Sequence, residues 1–346
     1  MKILVIGGTG FIGRFVIEQL LAKGHELSVF DRGLTPANLP LEVNRIRGDR
    51  QHLTDYRKTF VQLAPDVVLD TIAFTEADAQ STMAVFRGIA RRVVVISSQD
   101  VYRARDIFWK RETGIIDAVP LTEDAPLRSQ LYPYRDSGIP SKLSPDYDKI
   151  LVERVVMSDQ SLPGTIVRLP MVYGVGDHQH RVYPYIKRMD DRRSAIVLEE
   201  SYANWRGCYG YVENVAAAIV LTIVDERATS RIYNVSESFS VSQAELIRTI
   251  GEIVGWSGEV VIVPKSELPE GYGIPFHTEQ DWVTDSTRIR KELDYSEPIN
   301  RGEALRRTIT WERANPPEVF SGIGLLDYEL EDVVLASKSS RLTVRS

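Results

Sequence analysis

Cysteine is almost missing from this chain of 346 residues, since Cys208 is the only one. A single cysteine excludes an intrachain disulfide framework and a zinc site built from several thiolates. Basic residues are not in excess either: 42 lysines and arginines stand against 48 aspartates and glutamates, for a net charge of -6. The chain therefore lacks a broad positive footprint, which argues against nucleic acid as a partner.

Long apolar runs are also missing at the start of the chain. The first run is broken by glycines after Ile6, so it is too short for a signal-peptide core or a membrane span. We therefore expect a cytoplasmic protein with no membrane contact. His178 and His180 lie beside Asp177, but one short loop does not supply a complete set of metal ligands, and we predict no metal site.

Short β-branched runs alternate with longer helical stretches as far as about residue 100. Such runs are typical of a parallel sheet that helices cover on both faces. After the first run, apolar residues at helical spacing predict a helix that ends near Gly24. The predicted strands read "KILVIG", "ELSVFD", "VNRIRGD", "DVVLDTIA" and "RVVVISS".

The rest of the chain predicts a second, smaller region. A loop is expected from about Tyr102 to Ser144, then a helix at "YDKILVERVVMS" and a strand at "GTIVRLPMVYG". We predict an α/β fold with a Rossmann-like doubly wound parallel sheet over residues 1–175, to which some later segments return. Residues 176–330 would form a smaller mixed substrate-binding region over the carboxyl edge of the sheet, and 331–346 a loosely held tail.

Gly7, Gly10 and Gly13 follow the first strand and open the first helix. Glycines at this spacing allow a tight turn and let a pyrophosphate approach the backbone, while the helix N-terminus offers free N–H groups. Asp31 ends the second strand about 20 residues later, as in dinucleotide-binding βαβ units. This combination predicts a dinucleotide site.

Two positions bear on which dinucleotide is bound. Asp31 can accept hydrogen bonds from both adenosine ribose hydroxyls and would repel a 2′-phosphate, which favours NAD over NADP. Arg32 leaves NADP possible, because a guanidinium can hold the extra phosphate or stack on adenine. Asp49 and Arg50 follow the third strand, where an acid can meet the adenine amino group, although a solvated turn explains them equally well.

Six motifs in their usual order resemble the extended short-chain dehydrogenase/reductase family of NAD-dependent epimerases and dehydratases. They are "GGTGFIG", "FDRG", "GDR", "ISSQDVY", "YDKILVE" and "RLPMVYG", and the resemblance covers about residues 1–315. It implies hydride transfer at a carbinol or carbonyl carbon and a catalytic Ser, Tyr and Lys. It also implies cofactor contacts from the glycine loop and from later strand ends, namely Phe11, Ile12, Ala73, Lys149, Pro170 and Val172.

The serine and the lysine carry over from the resemblance, whereas the tyrosine does not. Ser98 would orient the substrate oxygen, and Lys149 would bind the nicotinamide ribose and lower the pKa of a nearby phenol. The tyrosine position, four residues before the lysine, is Pro145. We interpret Ser144 and Pro145 as a helix start, so that Tyr147 could not simply replace a side chain at position 145.

The missing phenol leaves several alternatives open. Tyr147 is one candidate for the acid and is equally well explained as a packing residue. Tyr132 and Tyr134 in the preceding "LYPYRDSGIPSK" loop are others, Tyr102 is a weaker one, and bound water is a further alternative. On the substrate side we expect Tyr134, Arg181 and Arg206 to contact the ligand. Pro170 and Met171 stand where many nucleotide-sugar members carry an Asn, which weakens a nucleotide-sugar assignment.

The sequence therefore favours an NAD-dependent epimerase, dehydratase or reductase with an atypical active site, acting on a sugar-like or other small polar substrate. The motifs do not separate these three activities. The alternative is a catalytically weak NAD(P)-binding protein that serves as a redox sensor, regulator or RNA-binding scaffold. The resemblance also implies a homodimer.

Overall fold

The computed structural model describes residues 1–34, 39–135, 143–270, 272, 274–320 and 326–344, and it shows an α/β fold. The strands are β1 (Lys2–Ile6), β2 (Glu26–Asp31), β3 (Asn44–Arg47), β4 (Val67–Asp70), β5 (Arg92–Ser98), β6 (Gly164–Leu169), β7 (Met171–Tyr173), β8 (Ala195–Glu199), β9 (Tyr209–Tyr211), β10 (Ile232–Asn234) and β11 (Glu259–Val263). The helices are α1 (Gly13–Ala22), α2 (Arg57–Leu63), α3 (Glu76–Phe86), α4 (Arg103–Phe108), α5 (Lys149–Ser158), α6 (Tyr183–Asp190), α7 (Glu200–Asn204), α8 (Val212–Val224), α9 (Gln243–Val254), α10 (Thr287–Leu293), α11 (Arg301–Ala314) and α12 (Tyr328–Val344).

Seven strands form the central sheet in the order β10-β6-β5-β4-β1-β2-β3, and neighbouring strands are parallel. The strand order runs outward from β1 to β3 on one side and from β4 to β10 on the other. The switch point lies between β1 and β4, where a crevice opens at the carboxyl ends of these strands. The five strands predicted in the first hundred residues are all present in this sheet. The prediction of a doubly wound parallel sheet is confirmed.

Helices cover both faces of the sheet, as the doubly apolar strand sequences require. Alternate residues of β1 point to opposite sides: Ile3 and Val5 lie in the core formed with α1 and α8. Leu4 and Ile6 lie in the core formed with α3 and α5. The helix predicted after the glycine loop is α1, and Gly24 follows it with a φ of 76° that glycine adopts without strain.

The second half of the chain divides differently from the sequence expectation. The segment "GTIVRLPMVYG" forms two strands because Pro170 has no amide hydrogen to continue the ladder of β6. The segment "IYNVSE" supplies β10, which joins the edge of the central sheet beside β6. The smaller region contains two parallel pairs, β8 with β11 and β7 with β9.

Three further segments differ from expectation. The predicted loop after Tyr102 contains helix α4. Helix α5 begins at Lys149, with Asp148 as its N-cap, and the predicted start at Ser144 and Pro145 is wrong. The chain end is not a loose tail over its described part, because α12 buries Glu331 in an ion pair with Arg188. Among the described residues, every helix is too short or too polar to span a bilayer.

Candidate active site

A cleft of about 690 Å³ lies along the carboxyl ends of β1, β2 and β4. It brings together residues that are far apart in the chain, since parallel strands present their carboxyl ends at one edge. Six predicted cofactor residues line this single cleft: Gly7, Gly10, Asp31, Arg32, Asp49 and Arg50.

The glycine loop has the geometry of a phosphate cradle. Gly7 has a φ of 81°, and a Cβ atom there would lie 2.7 Å from side-chain atoms of Thr71 and Ile72. A Cβ atom at Gly13 would lie 2.5 Å from the carbonyl oxygen of Gly8, so glycine lets α1 pack closely on the loop. At Gly10 a Cβ atom would meet nothing within 4 Å, which shows open space on the cleft side.

The N-terminus of α1 has no side-chain cap and no acidic residue in its first turn. Its N-cap is Ile12, so the first amide groups remain available to an anion that enters the cleft. Phe11, the residue before it, packs its ring edge-on against His178 at 6.2 Å between ring centroids. The loop therefore fits a dinucleotide pyrophosphate.

The ribose end of the cleft differs from the sequence expectation. Asp31 is already engaged: Nε and Nη2 of Arg45 donate to its two carboxylate oxygens at 3.0 and 2.7 Å, and the Gly33 amide donates to one of them. The sequence predicts a carboxylate that accepts hydrogen bonds from both ribose hydroxyls, whereas here protein donors already occupy both of its oxygens. Sequence reasoning missed Arg45, although the pairing of β3 with β2 places it opposite Val29, two residues before Asp31.

Asp49 and Arg50 serve mainly the local fold. The Asp49 carboxylate accepts a hydrogen bond from the Gln51 amide at 3.0 Å and so caps the following turn. The Arg50 guanidinium donates to Asp70 at 2.9 Å and to the Thr82 hydroxyl at 2.8 Å, which ties the end of β4 to α3. Both residues line the cleft, but the hydrogen-bonding groups of Arg50 are directed into the protein.

Lys149 lies at the carboxyl ends of β4 and β5, buried at the first position of α5. Its Nζ donates to the carbonyl oxygens of Ala73 and Ile96 at 2.7 and 2.8 Å and lies 4.8 Å from the centre of the Phe74 ring. Burial lowers the pKa of Lys149 to about 8, since the charged ammonium is less stable away from water. Two of its three N–H groups are used by the backbone, so one remains for a ligand.

Tyr147 enters the same buried region because it precedes α5 instead of lying within it. Its backbone pairs with Thr75 in an isolated antiparallel bridge, and its hydroxyl donates to Oδ2 of Asp100 at 2.7 Å. Burial and the negative charge of Asp100 raise the pKa of Tyr147 well above its usual value. Lys149 therefore does not produce the lowered phenol pKa that the family pattern implies.

Asp100 is a site residue that sequence reasoning missed. Its carboxylate is buried, and its Oδ1 has no hydrogen-bond partner among the described residues. Because it follows the end of β5 by two positions, its place beside Ser98 could have been read from "SSQDVY". Such a buried oxygen is costly to leave unpaired, and sites that bind ligands are where this cost is tolerated.

Ser98 ends β5 next to Asp100, while its neighbour Ser97 turns away. The Ser98 hydroxyl accepts a hydrogen bond from the Asp100 amide at 3.1 Å and is partly exposed. The Ser97 hydroxyl donates to Glu153 at 2.5 Å, and Glu153 forms a buried ion pair with Arg168. Glu153 therefore holds α5 to β6, and Ser98 remains the candidate for the substrate.

The structure places the predicted substrate residues in different surroundings. Tyr134 lies edge-on to Tyr147, with 5.2 Å between the ring centroids, and so joins the buried cluster. Arg181 donates to Asp177 and to the Val172 carbonyl oxygen at 2.7 and 2.8 Å. Arg206 is half-exposed and forms an ion pair with Asp281 at 2.6 Å.

Pro170 lies between β6 and β7, and Nδ1 of His180 is hydrogen-bonded to the carboxyl group of Glu312 at 2.6 Å. Within the described ranges, no group of three or more histidine, cysteine, aspartate or glutamate side chains is arranged to hold a metal ion.

Comparison with known proteins agrees with this geometry. Residues 3–107 match the model of the NAD dependent epimerase/dehydratase family. The 2'-dehydrokanamycin reductase of Streptomyces kanamyceticus is 26% identical over 271 residues, which cover 76% of this chain and 70% of the reductase. The UDP-N-acetyl-alpha-D-glucosaminuronate decarboxylase of Bacillus cytotoxicus is 23% identical and covers 90% of this chain and 98% of its own.

A solved structure shares the fold across most of the chain. The Bordetella bronchiseptica enzyme WbmG, in complex with NAD, superposes with a TM-score of 0.66 at 18% identity and covers 91% of this chain and 94% of its own. The glycine loop and the acid that ends β2 lie within the residues that the family model matches, whereas Lys149 lies beyond them in the chain. The dinucleotide-binding part of this chain is therefore similar to the NAD-dependent epimerases and dehydratases, and the fold shared with WbmG extends over most of its length.

Proposed function

We propose that this enzyme transfers hydride at a carbinol or carbonyl carbon of a sugar-like or other small polar substrate, with Ser98, Tyr147 and Lys149 in its catalytic centre. The observation that carries the proposal is the position of Lys149. Its buried Nζ binds carbonyl oxygens at the ends of β4 and β5 and lies 6.0 Å from the centre of the Tyr147 ring, whose hydroxyl is bonded to Asp100. A buried ammonium is unfavourable unless polar groups pair with it. A buried lysine with a shifted pKa beside a cleft is therefore a candidate functional residue.

The cofactor supplies the hydride acceptor or donor, and the residues of the chain bind it and move the proton. The glycine loop and the N-terminus of α1 hold the pyrophosphate, and the remaining N–H of Lys149 is available to a ribose hydroxyl. Asp49, Arg50, Ala73, Pro170 and Val172 remain proposed neighbours of the cofactor.

Proton transfer would differ from the usual family arrangement. The high pKa of Tyr147 keeps its phenol protonated near neutral pH, so it acts as a donor. Asp100, with one open oxygen beside this phenol, is placed to accept a proton or a hydrogen bond from a substrate hydroxyl. We therefore propose that Tyr147 and Asp100 together take the role that a tyrosine at position 145 would have.

The substrate class follows from the relatives more than from the cleft. A reductase of a dehydrokanamycin and a decarboxylase of a nucleotide sugar both act on sugar-derived compounds. Pro170 and Met171 remove one expected contact to a nucleotide diphosphate. We therefore propose a sugar or aminosugar ketone or alcohol as the first class to screen, with nucleotide sugars second.

Titration with NADH followed by a substrate screen tests the proposal. Wild-type protein should bind NADH and turn over at least one compound of these classes. Lys149→Ala should lose most of the turnover, and Tyr147→Phe should lose it to a similar degree while it keeps NADH binding. Tyr183→Phe, which removes a hydroxyl at the start of α6 and outside the residues that line the cleft, serves as the matched control. Full turnover by Lys149→Ala contradicts the proposed mechanism.

A second function is supported by one observation. The Tyr147 phenol is bound to a carboxylate and has a raised pKa, as in a site that no longer exchanges protons. The chain would then be an NAD(P)-binding regulator or redox sensor. Tight NADH binding without turnover of any screened compound supports this second function. Tyr147→Phe should then leave the NADH dissociation constant unchanged.

We also propose a homodimer that pairs through α3 and α5. These helices pack side by side, and a shallow groove of about 430 Å³ runs between their outer faces. Light scattering should give twice the mass of one chain. Ala84→Glu, which places a charge on the exposed face of α3, should reduce the mass to that of one chain.

A further inference from the structure

Three arginines surround the acid that ends β2. Arg32 follows Asp31 directly, Arg45 binds its carboxylate from β3, and Arg47 ends β3 opposite Asp31 in the sheet register. The Arg47 guanidinium lies against Gly33: a Cβ atom built on Gly33 would be 3.4 Å from Nε and 3.6 Å from Cζ of Arg47. Asp31, Arg32 and Gly33 line the cleft, so all three guanidinium groups are at or directly behind its wall.

The local charge balance is positive. Arg45 and Asp31 form a bidentate ion pair at 2.7 Å, so the carboxylate no longer presents a free negative charge to a ligand. Arg32 and Arg47 are exposed, and no carboxylate among the described residues lies within ion-pair distance of either. Two cations are therefore left over at the point where the adenosine ribose of a dinucleotide would lie.

A free aspartate at this place selects against a ribose 2′-phosphate by charge repulsion, as the sequence alone led us to expect. Here the repulsion is cancelled by Arg45, and two further guanidinium groups are placed to attract a phosphate. Guanidinium groups match phosphate oxygens in bidentate geometry. We propose that the adenosine end of this cleft binds a ribose 2′-phosphate, so that the protein accepts NADP(H) as well as NAD(H), and that Arg45 is the residue that sets this tolerance.

The two nucleotides would use the same residues differently. With a 2′-hydroxyl, Asp31 keeps its bond to Arg45 and offers its remaining lone pair to the ribose. With a 2′-phosphate, Arg45 can turn from the carboxylate to the phosphate, since its side chain is 24% exposed and is tied to no other group among the described residues. Arg32 and Arg47 complete the positive wall in both cases. This inference rests on the dinucleotide binding of the proposed function.

Binding of NADH and NADPH to wild-type protein and to three variants tests the inference without any substrate. Dissociation constants are measured from nucleotide fluorescence at low and moderate salt. Wild-type protein should bind the two nucleotides with constants within about tenfold of each other. Arg45→Met should weaken NADPH by about tenfold or more while it changes NADH by less than about threefold, because a charge-assisted hydrogen bond is lost only to the phosphate.

Arg47→Met should act in the same direction with a smaller effect, and raised salt should weaken NADPH more than NADH. Arg306→Met, which removes an exposed arginine from α11, is the matched control and should alter neither constant. Wild-type protein that binds NADH but not NADPH overturns this inference and leaves the proposed function standing. An unchanged NADPH to NADH ratio in Arg45→Met also overturns it. Binding of neither nucleotide overturns both proposals.

Discussion

Replacing Lys149 by methionine should change how the stability of the protein depends on pH. The ammonium is buried against two carbonyl oxygens, and its pKa is lowered from 10.5 to about 8 mainly by burial. Below pH 8 the lysine is charged in both the folded and the unfolded chain, so the folded state bears the whole cost of a buried charge. Between pH 8 and 10.5 the folded chain releases the proton first, and that cost is progressively relieved.

The size of the effect follows from the shift. A shift of 2.5 pKa units (10.5 less about 8) corresponds to roughly 3 kcal/mol, since one unit is about 1.36 kcal/mol. Only part of this free-energy difference has developed by pH 9.5, because that pH is still below the unfolded pKa of 10.5. From pH 7 to 9.5 the free energy of unfolding of wild-type protein should rise by about 2 kcal/mol relative to Lys149→Met.

Urea denaturation of both proteins at half-unit pH steps measures this difference directly. Tyrosines and other titrating groups are common to the two chains, so their contributions cancel in the subtraction. Lys58→Met, which removes an exposed lysine from α2, is the control and should give a difference that does not vary with pH. A flat difference between wild type and Lys149→Met up to pH 9.5 would show that the ammonium is not desolvated as described.

Three further substitutions or reactions test the packing around the site. Gly13→Val should lower the free energy of unfolding by about 1–3 kcal/mol, because its Cβ atom would lie 2.5 Å from the Gly8 carbonyl oxygen; an unchanged melting temperature contradicts this contact. Arg128→Met should cost about 3–5 kcal/mol, because it leaves the carboxylate of Asp148 buried without its ion pair, and adding Asp148→Asn should recover part of the loss. Burial raises the pKa of the Cys208 thiol to about 12, so a thiol reagent at pH 8 should label only the unfolded chain; rapid labelling of the folded protein argues against this burial.

The dinucleotide-binding half could be predicted well because its signals are local. Strands that are apolar on both faces, a glycine loop and an acid at the end of β2 are each visible within a few residues. The same local reasoning failed at the start of α5. Ser144 and Pro145 have the residue types of a helix start, but the backbone of residues 147 and 148 is held extended by the loop after β4, and Asp148 provides the cap.

That difference decides the geometry of the candidate catalytic centre. If α5 had begun at Pro145, Tyr147 and Lys149 would have pointed in different directions around the helix. Because Tyr147 lies before the helix, its hydroxyl reaches Asp100, a contact between residues 47 positions apart. The pairing of Arg45 with Asp31 depended in the same way on which strands are neighbours. Contacts of this kind are fixed by tertiary structure, and local sequence patterns do not contain them.

The place of β10 in the central sheet has a consequence for how the protein is made. During synthesis, the ribosome releases β1 to β6 well before residues 232–234, which must pair with the outer edge of β6. Until then β6 presents unpaired amide and carbonyl groups, and α1 lacks α8, the helix packed against it. A nascent chain that stops near residue 175 would therefore carry an open sheet edge and an uncovered apolar helix face, both of which favour aggregation. The nucleotide-binding half should reach its stable form only after most of the other half has left the ribosome.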